Sequence, residues 1–146
     1  MNRPIKEKDL GWAAGFVDGE GCVLIAVQRY PGRKNPTFRP MLTISQNHKP
    51  TLEHFRNVIG VHSPIYAMKR HPNQRRQPWV LPYVGHKAIK VMTLLEPHLI
   101  RKGPEVAVCK QLWLNTHFHR RYGCKGIPED VINLRWKLHF ALRDLK

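Results

Sequence analysis

Asp18 and Glu20 close the stretch LGWAAGFVDGEG (residues 10–21), which is otherwise apolar or small. Carboxylates brought together are costly unless divalent cations or protons neutralise them. Gly11, Gly15 and Gly19 recur every four residues in the same stretch. At about 100° per helical residue they fall within about 80° of one another, with Ala14 and Asp18 beside them. Leu10, Ala13 and Val17 form an apolar sector, and Trp12 and Phe16 fill most of the remainder. A helix with no broad polar face is covered on several sides. Each glycine costs roughly 1 kcal/mol relative to Ala within a helix, and close approach of a second backbone offsets that cost. The same helix from a second copy meets this need, and a two-fold axis there brings both copies of Glu20 together. Packing within one chain, with Asp18 and Glu20 as ordinary helix-end polar residues, is the alternative.

The charge map narrows the partner. The 146 residues suit one domain. They carry 25 Lys and Arg against 10 Asp and Glu, a formal charge of +15. That balance calls for a polyanion, with nucleic acid ahead of an anionic membrane. Between Gly21 and Leu95 the only acid is Glu53, among twelve Lys and Arg. A surface that is merely soluble mixes both signs, whereas a phosphate groove excludes carboxylates. No apolar run approaches the roughly 18 residues of a membrane span. The start, MNRPIKEKDL, lacks the apolar core of a signal peptide. The expectation is an intracellular protein with no membrane partner and no small-molecule cofactor. Cys22, Cys109 and Cys124 are odd in number and form no CxxC, which fits reduced thiols and not a disulfide scaffold or zinc site. His117 and His119 lack metal-ligand partners at the required spacing and read as a solvated loop.

These residues need elements to position them. Residues 7–18 read as a helix. CVLIAVQRY (22–30) and TFRPMLTISQ (37–46) read as a hairpin around PGRKNP. Val23, Ile25 and Val27 alternate with Leu24, Ala26, Gln28 and Tyr30. Phe38, Leu42 and Ile44 alternate with Thr37, Arg39, Met41 and Thr43. One face is aliphatic and the other mixed, as a ligand-reading face would be. Pro40 hints at an edge or a bulge in the second strand. Residues 50–59 form a second helix, with Pro50 in its first turn and Gly60 ending it. A weaker strand pair at about 62–70 and 78–85 flanks the basic HPNQRRQ, and Pro64, Pro78 and Pro82 leave its register open. Helices follow at 86–99, from Pro104 to about 117, and at 128–145, with RKGP as a break. A half-polar sheet covered by helices on its apolar face is an α+β architecture.

GWAAGFVDGEG resembles the signature helix of the LAGLIDADG homing endonucleases, the likeness resting on Ala14, Gly15, Phe16, Val17, Asp18, Gly19, Glu20 and Gly21. The element order resembles that family's αββαββα core over about residues 7–117. The resemblance implies a single domain with a saddle-shaped antiparallel sheet, extended by C-terminal helices over about 118–146. Only one copy of the motif is present, and members with one motif act as homodimers. The resemblance therefore places Gly11, Ala14, Gly15 and Asp18 at a dimer interface, with Asp18 structural. It makes Glu20 the metal ligand, beside the Gly19 carbonyl, with Mg2+ as the ion and Mn2+ able to substitute. It implies metal-dependent hydrolysis of one phosphodiester per strand of a long pseudo-palindromic duplex, as in intron homing. Gln46, next to Asn47, would order water around the metal. Lys102, next to Arg101, would sit near the water or phosphate. A further basic site is filled by Lys49, one residue closer than the family pattern, where Pro50 stands. DNA contacts are expected from Leu24, Ala26, Gln28, Tyr30, Thr37, Arg39, Met41 and Thr43 on the strands. Arg33 and Lys34 would add to them at the first loop, and Arg70, Arg75, Arg76 and Gln77 at the second. A β-ribbon fits the major groove, where Arg and Gln bond base edges bidentately. The alternatives are a non-cleaving nucleic-acid binder of the same fold, such as an intron maturase or transcription factor, and a basic structural RNA-binding protein. The few aromatics on the polar strand faces argue against the last.

Overall fold

A computed structural model describes residues 3–115 and 126–146. His117, His119, Cys124 and the expected end of the fourth helix near 117 lie outside the described residues. The elements are α1 (Glu7–Glu20), β1 (Gly21–Gln28), β2 (Thr37–Gln46), α2 (Lys49–Ile59), β3 (Tyr66–Ala67), β4 (Trp79–Val84), α3 (His86–Leu95), a 3-10 turn (Glu96–His98), α4 (Gly103–Asn115) and α5 (Glu129–Asp144). The four strands form one antiparallel sheet in the order β1-β2-β4-β3. The architecture is α+β, as the alternation predicts.

The aliphatic strand face is the buried one. Val23, Ile25, Phe38, Leu42 and Ile44 point into the core, with Leu81 and Tyr83 from β4. Helices cover that face with Ala13, Ala14 and Val17 of α1, Leu52 and Phe55 of α2, Val91 and Leu95 of α3, and Val106 and Leu112 of α4. The largest buried side chain, Tyr83, donates its hydroxyl to the Val61 carbonyl at 2.8 Å. Burial pushes its phenol up to about 12, so it stays a neutral donor. Gly60 ends α2 in the left-handed region at φ 72°, where a side chain would be strained.

Prolines account for most departures from expectation. Pro40 lies in an interior strand and not at an edge, paired with Ile25 of β1. Its carbonyl accepts the Gly85 N–H at 2.9 Å, so its polar edge turns toward β4 just past Val84, where the β2–β4 ladder ends. The missing N–H therefore falls outside the ladder. The second strand pair is much shorter than expected, with only Tyr66↔Val80 and Ala67↔Trp79 paired. Pro82 has no N–H to extend that ladder, and the Ser63 hydroxyl takes its carbonyl instead. The helix expected over 86–99 stops at Leu95, because Pro97 cannot donate to the preceding turn and a 3-10 turn follows.

α5 covers the outer edge of β1. His139 Nδ1 meets the Ile25 carbonyl at 3.1 Å, Trp136 packs edge-on against Phe38 at 4.9 Å, and Leu138 and Leu142 join the core. An unpaired strand edge is thereby blunted. Among the described residues no helix is long and apolar enough to cross a membrane.

Candidate active site and nucleic-acid interface

α1 runs to Glu20 and passes directly into β1. The Gly21 N–H donates to the Val17 carbonyl, and a Cβ at Gly21 would sit 2.7 Å from that oxygen. The chain's own fold thus requires this glycine. It does not require Gly11, Gly15 or Gly19, where an added Cβ meets nothing within 4 Å. All three are exposed and form an open strip along α1. Trp12 (39% exposed) flanks the strip, stacked on Phe16 at 5.3 Å. Ile100 stands next to the last turn at 94% exposure. That turn carries Asp18 and Glu20 and no basic residue. A helix C-terminus is already the negative end of the dipole, so acids there favour a bound cation.

Asp18 serves the chain itself. Its carboxylate accepts backbone N–H groups from Ile100 (2.8 Å), Arg101 (3.1 Å) and Lys102 (3.0 Å). These residues lead into α4, whose first helical bond runs from the Val106 N–H to the Lys102 carbonyl. Burial alone would raise the Asp18 carboxyl, but the three N–H donors and the Lys102 charge outweigh it and hold the carboxyl below its ordinary value. Because the folded value is the lower one, the bond set is fully stabilising above the ordinary carboxyl range. It is lost as pH falls through the folded-state value. Asp18→Ala leaves the three donors without this partner. It should cost about 2 kcal/mol in denaturant unfolding at neutral pH, with the difference from wild type shrinking in acid. An unchanged midpoint would show the bonds to be dispensable.

Of the residues expected at an interface, Gly11 and Gly15 face outward. Ala14 is fully buried on the chain's own sheet and presents no surface to a partner. Asp18 is engaged by the 100–102 segment. Ile100 was not among the expected residues.

Glu20, Gln46 and Lys102 come to one end of the sheet. The pairing Gly21↔Ile44 sets Gln46, two residues on, beside the end of α1. The Gln46 Oε1 accepts the Asn47 N–H at 3.0 Å, which orients the amide. Lys102 is held there by its own backbone bond to Asp18. Lys49 reaches the same end. Its ammonium lies 4.7 Å from the ring centroid of Trp79, the residue paired with Gln46, and 3.9 Å from Glu53. No group of three or more His, Cys, Asp or Glu able to hold a metal occurs among the described residues. One chain offers a cation the Glu20 carboxylate and the carbonyls that end α1.

The other sheet face turns away from the helices. Leu24, Ala26, Arg39, Met41 and Thr43 are exposed or half-buried there, and Thr37 donates to the Gln28 carbonyl at 3.3 Å. In the β1–β2 loop Arg33 lies over the Tyr30 ring at 5.2 Å, with Lys34 exposed beside it. Arg70, Arg75 and Arg76 are exposed in the loop between β3 and β4. Gln77 is half-buried at the end of that loop. Its Nε2 donates to the Met68 (2.5 Å) and Pro78 (2.9 Å) carbonyls and fastens the hairpin base.

No protein-family model matches the chain. No curated protein matches it either. Solved structures do. The archaeal intron-encoded homing endonuclease I-Vdi141I, complexed with DNA, aligns over 96% of this chain and 85% of its own at 16% identity and a TM-score of 0.77. The homing endonuclease I-TnaI aligns over 99% of this chain and 97% of its own at 19% identity and a TM-score of 0.64. The I-LtrWI LAGLIDADG homing endonuclease, bound to target DNA, aligns over 95% of this chain but only 45% of its own, at 16% identity and a TM-score of 0.70. The likeness is one of fold.

Proposed function

We propose that this chain, which has the fold of the LAGLIDADG homing endonucleases, is a site-specific DNA endonuclease. In this reading it acts as a homodimer and hydrolyses one phosphodiester in each strand of a long pseudo-palindromic duplex. The observation that carries the reading is α1: its outward glycine strip meets nothing among the described residues, and it ends on the exposed Glu20 carboxylate, two residues past Asp18, which binds the Lys102 backbone N–H. Two copies joined along the strip bring two Glu20 carboxylates to one axis. The half-length alignment with I-LtrWI supports this, since two copies of the present chain would match one chain of that protein.

The donor set fits a divalent cation of the Mg2+ type, with Mn2+ as a substitute. Glu20 and the Gly19 carbonyl are hard oxygen donors at a negative helix end, and the facing copy and the DNA phosphate supply more. When bound, such a cation polarises the phosphate and lowers the pKa of an attacking water. Lys102, held by Asp18, places a positive charge beside the developing phosphate charge. The Gln46 amide orients the water, and Lys49 adds charge at the same end. The acid-poor sheet face holds the duplex over the two sites.

A randomised duplex library incubated with the protein and Mg2+, followed by sequencing of the ends, tests this. Recurrent cuts within one recovered motif are expected. Tight binding without cuts would overturn the nuclease and leave a non-cleaving binder. Binding should also depend steeply on salt, because two chains at +15 carry about +30 together. With 6–10 phosphate contacts, affinity should fall about 10^3- to 10^5-fold between 50 and 200 mM salt. A flat salt response in fluorescence anisotropy would contradict the phosphate-groove reading.

A further inference from the structure

The outward sheet face carries half-buried apolar side chains beside Thr43 and Ser45 at its centre and cations at its ends. Cross-strand register aligns Leu24 with Met41 and Met41 with Val84, and sets Pro82 beside Thr43 and Val80 beside Ser45. Paired residues share a face, so these side chains lie together on the side away from the helices. Tyr66, paired with Val80, extends the patch at 54% exposure, and Met68 lies beyond it at 40%. The described helices pack on the opposite face or, like α5, at the β1 edge, and leave this patch at least partly open. Arg33, Lys34 and Arg39 stand at the end near the β1–β2 loop. Lys69, Arg70, Arg75 and Arg76 stand at the other.

An exposed contiguous apolar patch rimmed by charge marks a binding surface. The rim decides between occupants. An apolar protein partner has no need of cations at both ends with almost no acid between them, whereas a duplex lays phosphates along both rims. The major groove offers an apolar patch one group of its own, the C5 methyl of thymine. Guanine and adenine edges pressed against Leu24, Met41 and Val84 would lose water and gain no hydrogen bond.

We infer that the Leu24–Met41–Val84 row and its neighbours Val80 and Pro82 select duplexes that place thymine methyls in the major groove at the middle of each half-site. The arginines at either end read guanine or phosphate. This rests on the DNA-binding reading above. It adds the chemical class of the target, which neither the charge map nor the fold specifies.

The test uses the full chain. Duplexes bound from a randomised pool without divalent metal are sequenced, and the recovered consensus is resynthesised with each central thymine replaced by deoxyuridine, which removes only the methyl. We expect thymines concentrated at the middle of each half-site, and about four-fold weaker binding for each methyl removed. Met41→Gln should relax the thymine preference at one position per half-site and abolish the deoxyuridine effect there alone. A consensus without central thymines, or deoxyuridine duplexes bound as tightly as the parent, would overturn the inference and leave the DNA-binding reading standing. Failure to retain any duplex at low salt would remove both.

Discussion

Glu20→Gln should reduce metal-dependent cleavage by on the order of 10^3-fold or more while duplex binding stays within about three-fold of wild type. The substitution keeps the side chain's length and shape and removes its negative charge. Glu20 is exposed at the last position of α1, outside the buried core, so the fold and the sheet face are left as they are. A neutral amide is a much poorer ligand for a hard divalent cation. Removal of an acid beside DNA can even strengthen binding slightly, because one repulsion with phosphate is lost. Single-turnover cleavage and anisotropy on the same duplex separate the two effects. Wild-type cleavage by Glu20→Gln would show that Glu20 does not hold the cation.

Gly15→Leu should leave the monomer folded and abolish both dimerisation and cleavage. A Cβ at Gly15 meets nothing within 4 Å and the position is exposed, so the side chain starts into open space. Relieving a mid-helix glycine should stabilise α1 by roughly 1 kcal/mol. A second copy that lies against the strip would meet the isobutyl group at backbone distance, where close approach depends on small residues. Sedimentation at micromolar concentration should then give a dimer for wild type and a monomer for the variant, with unfolding as cooperative as before. Gly21→Ala is the contrasting control. Its Cβ would sit 2.7 Å from the Val17 carbonyl, and the loss there should be of fold. If Gly15→Leu sediments as wild type and still cuts, the glycine strip is not the interface.

The first half of the fold was legible because two short-range periods dominate it. The apolar sector of α1, with Ala13 and Val17, and the alternation of Val23, Ile25, Phe38, Leu42 and Ile44 come from elements whose inner faces are fully buried. Burial enforces such patterns, whereas the exposed glycine spacing is not accounted for by the chain's own packing. The second hairpin was not legible, because Pro82 and the Ser63 hydroxyl cut its ladder to two pairs and leave no alternation to read. Pro40 misled for a related reason. A proline is excluded only from positions whose N–H must donate within the ladder, and sequence does not reveal which strand edge it faces.

At the candidate site Glu20, Gln46 and Lys102 are named by the family resemblance. The bonds that fix the segment carrying Lys102 were not legible. Asp18 binds backbone N–H groups of Ile100, Arg101 and Lys102, and backbone donors carry no side-chain signature at a distance of more than eighty residues. The burial of Ala14 and the inward bonds of Gln77 escaped for the converse reason, since composition alone does not show where a small or amide side chain is already engaged.

Strand-resolved mapping of cleavage tests the central claim most directly. A recovered duplex labelled on both strands is incubated with saturating protein and Mg2+, and the products are sized under denaturing conditions. A homodimer with one Glu20 for each strand cuts once in each, at two positions related by the two-fold axis of the site. An intact duplex under saturating protein and Mg2+, or cuts confined to one strand, would contradict it.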